Sequence, residues 1–206
     1  MSAPRRVSRW ACRRPQQKLF VMKSDHLIFV EPPEDIDETW IHGAMLGGMS
    51  GYDDQSLARS YFMAGAMLIE QTLESGERSQ DVICPILYLY RHGIELHLKV
   101  LVKPAKLTHS IGSLLDEFSR QIQSKYGERV PPWLTGPISQ LAEFDPSSDL
   151  FRYGRTKKPA VSQKLTNRGE LWIDLRTLKK TMSLIEQAFI RVGVAESVGL
   201  EGLKRP

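Results

Sequence analysis

"VICPILYLYRHGIELHLKVLV", residues 82–102, decides the fold. At about 100° per residue, Ile83, Leu87, Ile94, Leu98 and Leu101 share one face, and Leu89, Leu96 and Val100 lie on another. A helix apolar over most of its circumference is covered on several sides, which predicts a central helix in a bundle. Five titratable side chains nevertheless interrupt it: Arg91, His92, Glu95, His97 and Lys99. Arg91, Glu95 and Lys99 fall on one narrow stripe, with Tyr88 and His92 beside it. The stripe is either a buried ion-pair network or a site, because an unpartnered buried charge costs several kcal/mol.

Outward from this helix the pattern stays helical. Asp53 or Asp54 caps a first helix running to about Glu74, which breaks at Gly76. Ser79 or Asp81 caps the central helix, whose first turn tolerates Pro85, and Pro104 stops it after Lys103. Thr108 caps a third, "HSIGSLLDEFSRQIQSKYG" (109–127), with Ile111, Leu114, Leu115, Phe118 and Ile122 at helical spacing. "VPPWLTGP" (130–137) reads as a connector and Ile138 to Phe144 as a short helix. Residues 145–169 read as loop with a short extended piece, before a last helix from Glu170 to about Val192. The expected fold class is all-α: an antiparallel bundle of four main helices over residues 53–192, with short connections. Residues 1–24 form a basic disordered arm, 25–52 an irregular lead-in and 193–206 a tail. Within the lead-in, "HLIFV" (26–30) is a strand or packs on the body. The glycine-rich 40–54 stretch lacks the Gly-Lys-Ser/Thr ending of a phosphate-binding loop.

The composition, with 41% apolar and 25% charged residues, is that of a globular domain. No run of 18 apolar residues occurs, and no apolar segment follows the N-terminal arginines, so neither a membrane span nor a secretory signal is expected. Cys12 and Cys84, one in the arm and one in an apolar run, do not suggest a disulfide; a reducing cytoplasm follows. The net charge of +4 is concentrated at the start of the chain. Arg5, Arg6, Arg9, Arg13, Arg14, Lys18 and Lys23 face no acid before residue 24, and removing those seven leaves −3. The arm either holds phosphates by counterion release or is a solvated tail, unless translation begins at Met22.

A second basic stretch, "LFRYGRTKK" (150–158), carries Arg152, Tyr153, Arg155, Lys157 and Lys158, followed by Lys164 and Arg168. No acid occurs between Asp149 and Glu170. Cations interleaved with aromatics suit single-stranded nucleic acid; a solvated loop is the alternative. Arg152 either serves that loop or turns inward to Glu95. His109, at the start of the third helix, is a neighbour of the Arg91–Glu95 cluster or a capping or surface histidine. No residue spacing suggests a metal site, a nucleophile elbow or a cofactor.

"RHGIELH" (91–97) resembles the motif of the HEPN superfamily, helical-bundle proteins whose RNase members carry an arginine, often a polar residue, and a histidine a few positions on. The resemblance extends loosely over residues 53–192. It implies a bacterial toxin–antitoxin or antiviral-defence endoribonuclease that is metal-independent and uses the RNA 2′-hydroxyl as nucleophile. Arg91 would bind the scissile phosphate and His97 would move protons, with His92 as fallback. Glu95, His109 and Arg152 would support them, and the 152–168 loop would gather RNA. Side chains six apart on a helix point about 120° away from each other. The pair would therefore have to meet across a homodimer, with an antitoxin or defence protein as further partner. The alternative is a catalytically silent HEPN-like module that binds protein or nucleotide within a larger assembly.

Overall fold

The structure, a computed structural model, describes residues 28–35, 37, 41–46, 53–76, 78–106, 108–154 and 171–197. The chain divides into two compact units after Ser50. In the first, residues 28–29 form a bend and residue 30 is not in a strand, while 26–27 lie outside the described residues; the Asp37 amide donates to Asp35 Oδ1 at 2.9 Å within the acidic loop.

The second unit is helical, and no strand occurs among the described residues. It contains α1 (Asp54–Ser75), α2 (Ser79–Val102), α3 (Ile111–Tyr126), α4 (Pro132–Phe144), α5 (Leu150–Tyr153) and α6 (Leu175–Ser197). α2 lies at the centre and packs on α1, α3, α5 and α6. α6 also packs on α1, and α4 on α3. The core joins Phe62 and Ile69 of α1, Ile86, Tyr90, Ile94 and Leu98 of α2, Ile111, Leu114 and Phe118 of α3, Ile138 of α4, and Ile185 and Phe189 of α6. Each such side chain contributes about 1.5–3 kcal/mol by leaving water. A methyl group on Gly93 would stand 2.6 Å from the Phe62 ring and 3.2 Å from the Ala58 carbonyl, so the close approach of α1 and α2 needs glycine there.

Helix ends follow local chemistry. Asp53 Oδ1 accepts from the Ser56 amide at 2.6 Å, and Gly76, with φ +67°, closes α1. Lys103, with φ +49°, closes α2 in a left-handed conformation that side chains disfavour.

Several boundaries differ from expectation. α3 is capped by Ser110, whose Oγ accepts from the Ser113 amide; Thr108 instead receives the Ser110 amide. The supposed connector at 130–137 is largely helix. Proline at the first helical position has its φ already set and no intrahelical bond to lose, so Pro132 starts α4, and Pro137 is absorbed inside it. Pro85 likewise sits beyond the first turn of α2, on its exposed side, at the cost of the bond to the Asp81 carbonyl. The stretch read as loop after residue 145 contains the one-turn α5. The last helix starts at Leu175 and runs to Ser197, past the expected end at Val192, because the Asp174 carboxylate accepts the Thr177 amide and fixes the start.

Candidate functional site

The polar stripe of α2 is a closed network. Arg91 is 0% exposed and engaged on every side of its guanidinium. Nε donates to the Asp145 carbonyl at 3.0 Å and lies 3.5 Å from Asp145 Oδ2. Nη1 meets Glu95 Oε2 at 3.3 Å, and Nη2 donates to the His109 carbonyl at 3.0 Å. Glu95 Oε1 takes Lys99 Nζ at 2.7 Å and His109 Nδ1 at 2.8 Å. Asp145 Oδ1 in turn accepts the amides of Asp149 and Leu150, at 2.7 and 3.0 Å, which starts α5. Two cations thus balance two carboxylates. Burial pushes the Glu95 carboxyl up, but bonds from Lys99 and His109 outweigh it and hold the group below its ordinary value.

The network ties three places in the chain to one side of α2: the segment leading into α3, the end of α4, and the start of α5. Nearby, Ser148 sits buried with φ +61°, a conformation that the Asp145 turn imposes on a non-glycine residue.

His97 lies elsewhere. It is 2% exposed, with Phe62 of α1 and Phe189 of α6 at ring-centre distances of 5.6 and 5.4 Å. Its Nε2 has no hydrogen-bond partner among the described residues. Burial, reinforced by the Arg59 charge, pushes its pKa down to about 4, so the ring is neutral at pH 7. Arg91 faces α3, α4 and α5, whereas His97 faces α1 and α6; the structure does not bring them together within one chain.

His92 and Arg152 form a third group. The His92 ring stacks on Tyr88 (5.8 Å, 9° between planes) and meets Tyr61 edge-on at 4.5 Å. Burial lowers its pKa, and the charges of Lys99, Arg152 and Arg91 act in the same direction against Glu95. Arg152 does not turn inward to Glu95, contrary to one of the two expectations for it. Its guanidinium lies over Tyr88, 5.3 Å from the ring centre, and Nη2 donates to Ser148 Oγ at 3.4 Å. Glu95 is already saturated by Arg91, Lys99 and His109, whereas the open ring face of Tyr88 attracts a cation. Tyr153 is beside it, 61% exposed. Arg155, Lys157, Lys158, Lys164 and Arg168 lie outside the described residues.

Asp145 is the member that sequence reading missed, since "FDPSSD" signals a turn equally well. The available clue was a buried arginine with one carboxylate on its own helix, which calls for a second. Among the described residues, no group of three or more His, Cys, Asp or Glu side chains could hold a metal ion, and no helix is long and apolar enough to cross a membrane.

Compared with known proteins, the chain matches no family model, no curated protein and no solved structure. Its own geometry carries the functional reading.

Proposed function

We propose that this chain is a HEPN-like helical binding module in which the Arg91–Glu95–Asp145 network holds the bundle together and performs no catalysis. One observation carries this reading: the Arg91 guanidinium is sealed from solvent, with its donors spent on Asp145, Glu95 and the His109 carbonyl. A phosphate reaching it would have to displace those partners and strand two buried carboxylates, each displacement costing several kcal/mol. His97 supports the same conclusion. A proton carrier works best with a pKa near the operating pH and within hydrogen-bond reach of the reacting group; this ring is neutral and enclosed by phenylalanines.

The second reading, a cytoplasmic toxin- or defence-type endoribonuclease acting as a homodimer, draws on the spacing of Arg91 and His97 in the central helix. It requires α2 to open both residues to RNA. The two readings part in one assay. Purified protein is incubated with single-stranded RNA in EDTA, alongside His97→Leu. The module reading expects intact RNA in both samples. Cleavage by wild type that His97→Leu abolishes would overturn it in favour of the nuclease.

A further inference from the structure

α4 packs on α3, and α6 on α1 and α2. The two helices stand on different supports, and a cleft of about 500 Å³ lies between them. That volume falls within the roughly 300–1,000 Å³ of small-molecule sites. Each helix gives the cleft one stripe at helical spacing, Pro137, Gln140, Leu141 and Phe144 from α4, and Leu178 and Met182 from α6. Leu87 of α2, Leu141 and Met182 are all buried and form an apolar floor. Phe151 of α5 adds an aromatic wall, and Trp172, 85% exposed, stands at the mouth.

The charge of the cleft has one sign. Asp174 is the single charged side chain in its lining, which holds no Lys, Arg or His. Asp174 also caps α6, and the cap uses Oδ1. Charges flanking the lining residues along the chain do not reverse the sign. Asp145, Arg152 and Lys179 are engaged with Arg91, Tyr88 and Glu70, and Glu143 and Asp149 offset Arg176 and Lys180. Arg78 lines a neighbouring cleft that shares Trp172, and Asp81 follows it in the first turn of α2.

We propose that the α4–α6 cleft binds a small organic cation with an apolar body. Its ammonium head meets Asp174 and the ring faces of Trp172 and Phe151, and its body lies on Leu87, Leu141 and Met182. The negative face of an aromatic ring attracts a cation, tryptophan most strongly, and alkylated ammonium groups are recognised in this way. An anion of the same shape would bring its head against Asp174 with no cation in the lining to answer it. A neutral molecule would cover the floor and leave the carboxylate unused. A methylated lysine side chain carries the same head on a thin stem and leaves the floor uncovered, so the ligand is a free molecule. The inference goes beyond the binding-module reading. It uses no member of the Arg91 network and stands whether or not the chain cuts RNA.

The test is calorimetric titration of the full chain with 4-phenylbutyltrimethylammonium, in parallel with 5-phenylpentanoate and 4-phenylbutanol. The cation is expected to bind at a single site, roughly tenfold more tightly than the anion or the alcohol. Asparagine caps a helix as well as aspartate does, so Asp174→Asn should melt as wild type. It should weaken the cation roughly tenfold and leave the alcohol unchanged. Trp172→Leu keeps an apolar mouth without a ring face, and should weaken the cation roughly fivefold with no change in melting temperature. Absence of binding, an anion or alcohol bound as tightly as the cation, or a cation affinity indifferent to both substitutions would each overturn the assignment. A trimethyllysine pentapeptide should bind more weakly than the aryl cation; tighter binding of the peptide would overturn the free-molecule ligand.

Discussion

Two neighbouring clusters against α2 are built from similar residues and differ in burial. In one, Arg91 meets Glu95, Asp145 and the His109 carbonyl out of reach of water. In the other, Arg152 lies between two tyrosines, one of them mostly exposed. An arginine with satisfied donors and no exposure stabilises a fold; Arg152 instead lays its guanidinium on aromatic rings at the surface. Burial, not residue type, separates the two arginines.

The comparison predicts a graded series. Arg91→Ala should be the most damaging, because it leaves the buried Glu95 and Asp145 without their guanidinium. A loss of about 3–5 kcal/mol in denaturant unfolding is expected, and a near-wild-type curve would dissolve the distinction between the two clusters. Acid comes next. The folded His97 pKa of about 4 lies below its ordinary 6.5, so the unfolded chain takes up the proton first as pH falls. Its contribution is complete above about pH 6.5 and drains away towards pH 4, amounting to about 3 kcal/mol. His97→Leu should flatten this part of the stability profile; an unchanged slope would place the ring in water. The depressed Glu95 pKa acts in the same sense, but only below its ordinary 4.5.

Gly93→Ala sharpens the packing side of the comparison. Alanine favours helix by about 1 kcal/mol over glycine, yet here it would strike Phe62, so a net loss of about 1–3 kcal/mol is expected in thermal unfolding. Lys99→Ala removes a partner that is 17% exposed, and a loss of about 1 kcal/mol is expected from the same measurement. Tyr153→Ala, at the far end of the series, should change stability by less than about 0.5 kcal/mol.

Much of the fold was legible beforehand. The apolar circumference of 82–102 marked α2 as central, and Asp53 and Gly76 marked the ends of α1. The "VPPWLTGP" stretch was misread because its prolines resemble a break, when Pro132 is a start signal. The site was less legible. The Arg91–Glu95 pair follows from spacing four on a helix, but Asp145 lies 54 residues on in sequence. No local pattern reveals a carboxylate brought in by tertiary packing. His97 shows the same limit: its spacing from Arg91 matches a catalytic motif, whereas its surroundings, Phe62 and Phe189, come from helices distant in sequence.

The central claim is that Arg91 is held as a structural partner of Glu95, and a double-mutant cycle of Arg91→Met and Glu95→Leu, followed by urea unfolding, tests it most directly. Each single change should cost about 3–5 kcal/mol. The double change should cost at least about 1 kcal/mol less than their sum, because removing both members relieves the stranded charge. Two small, additive losses would contradict the account and return Arg91 to the solvent-facing chemistry that its motif suggests.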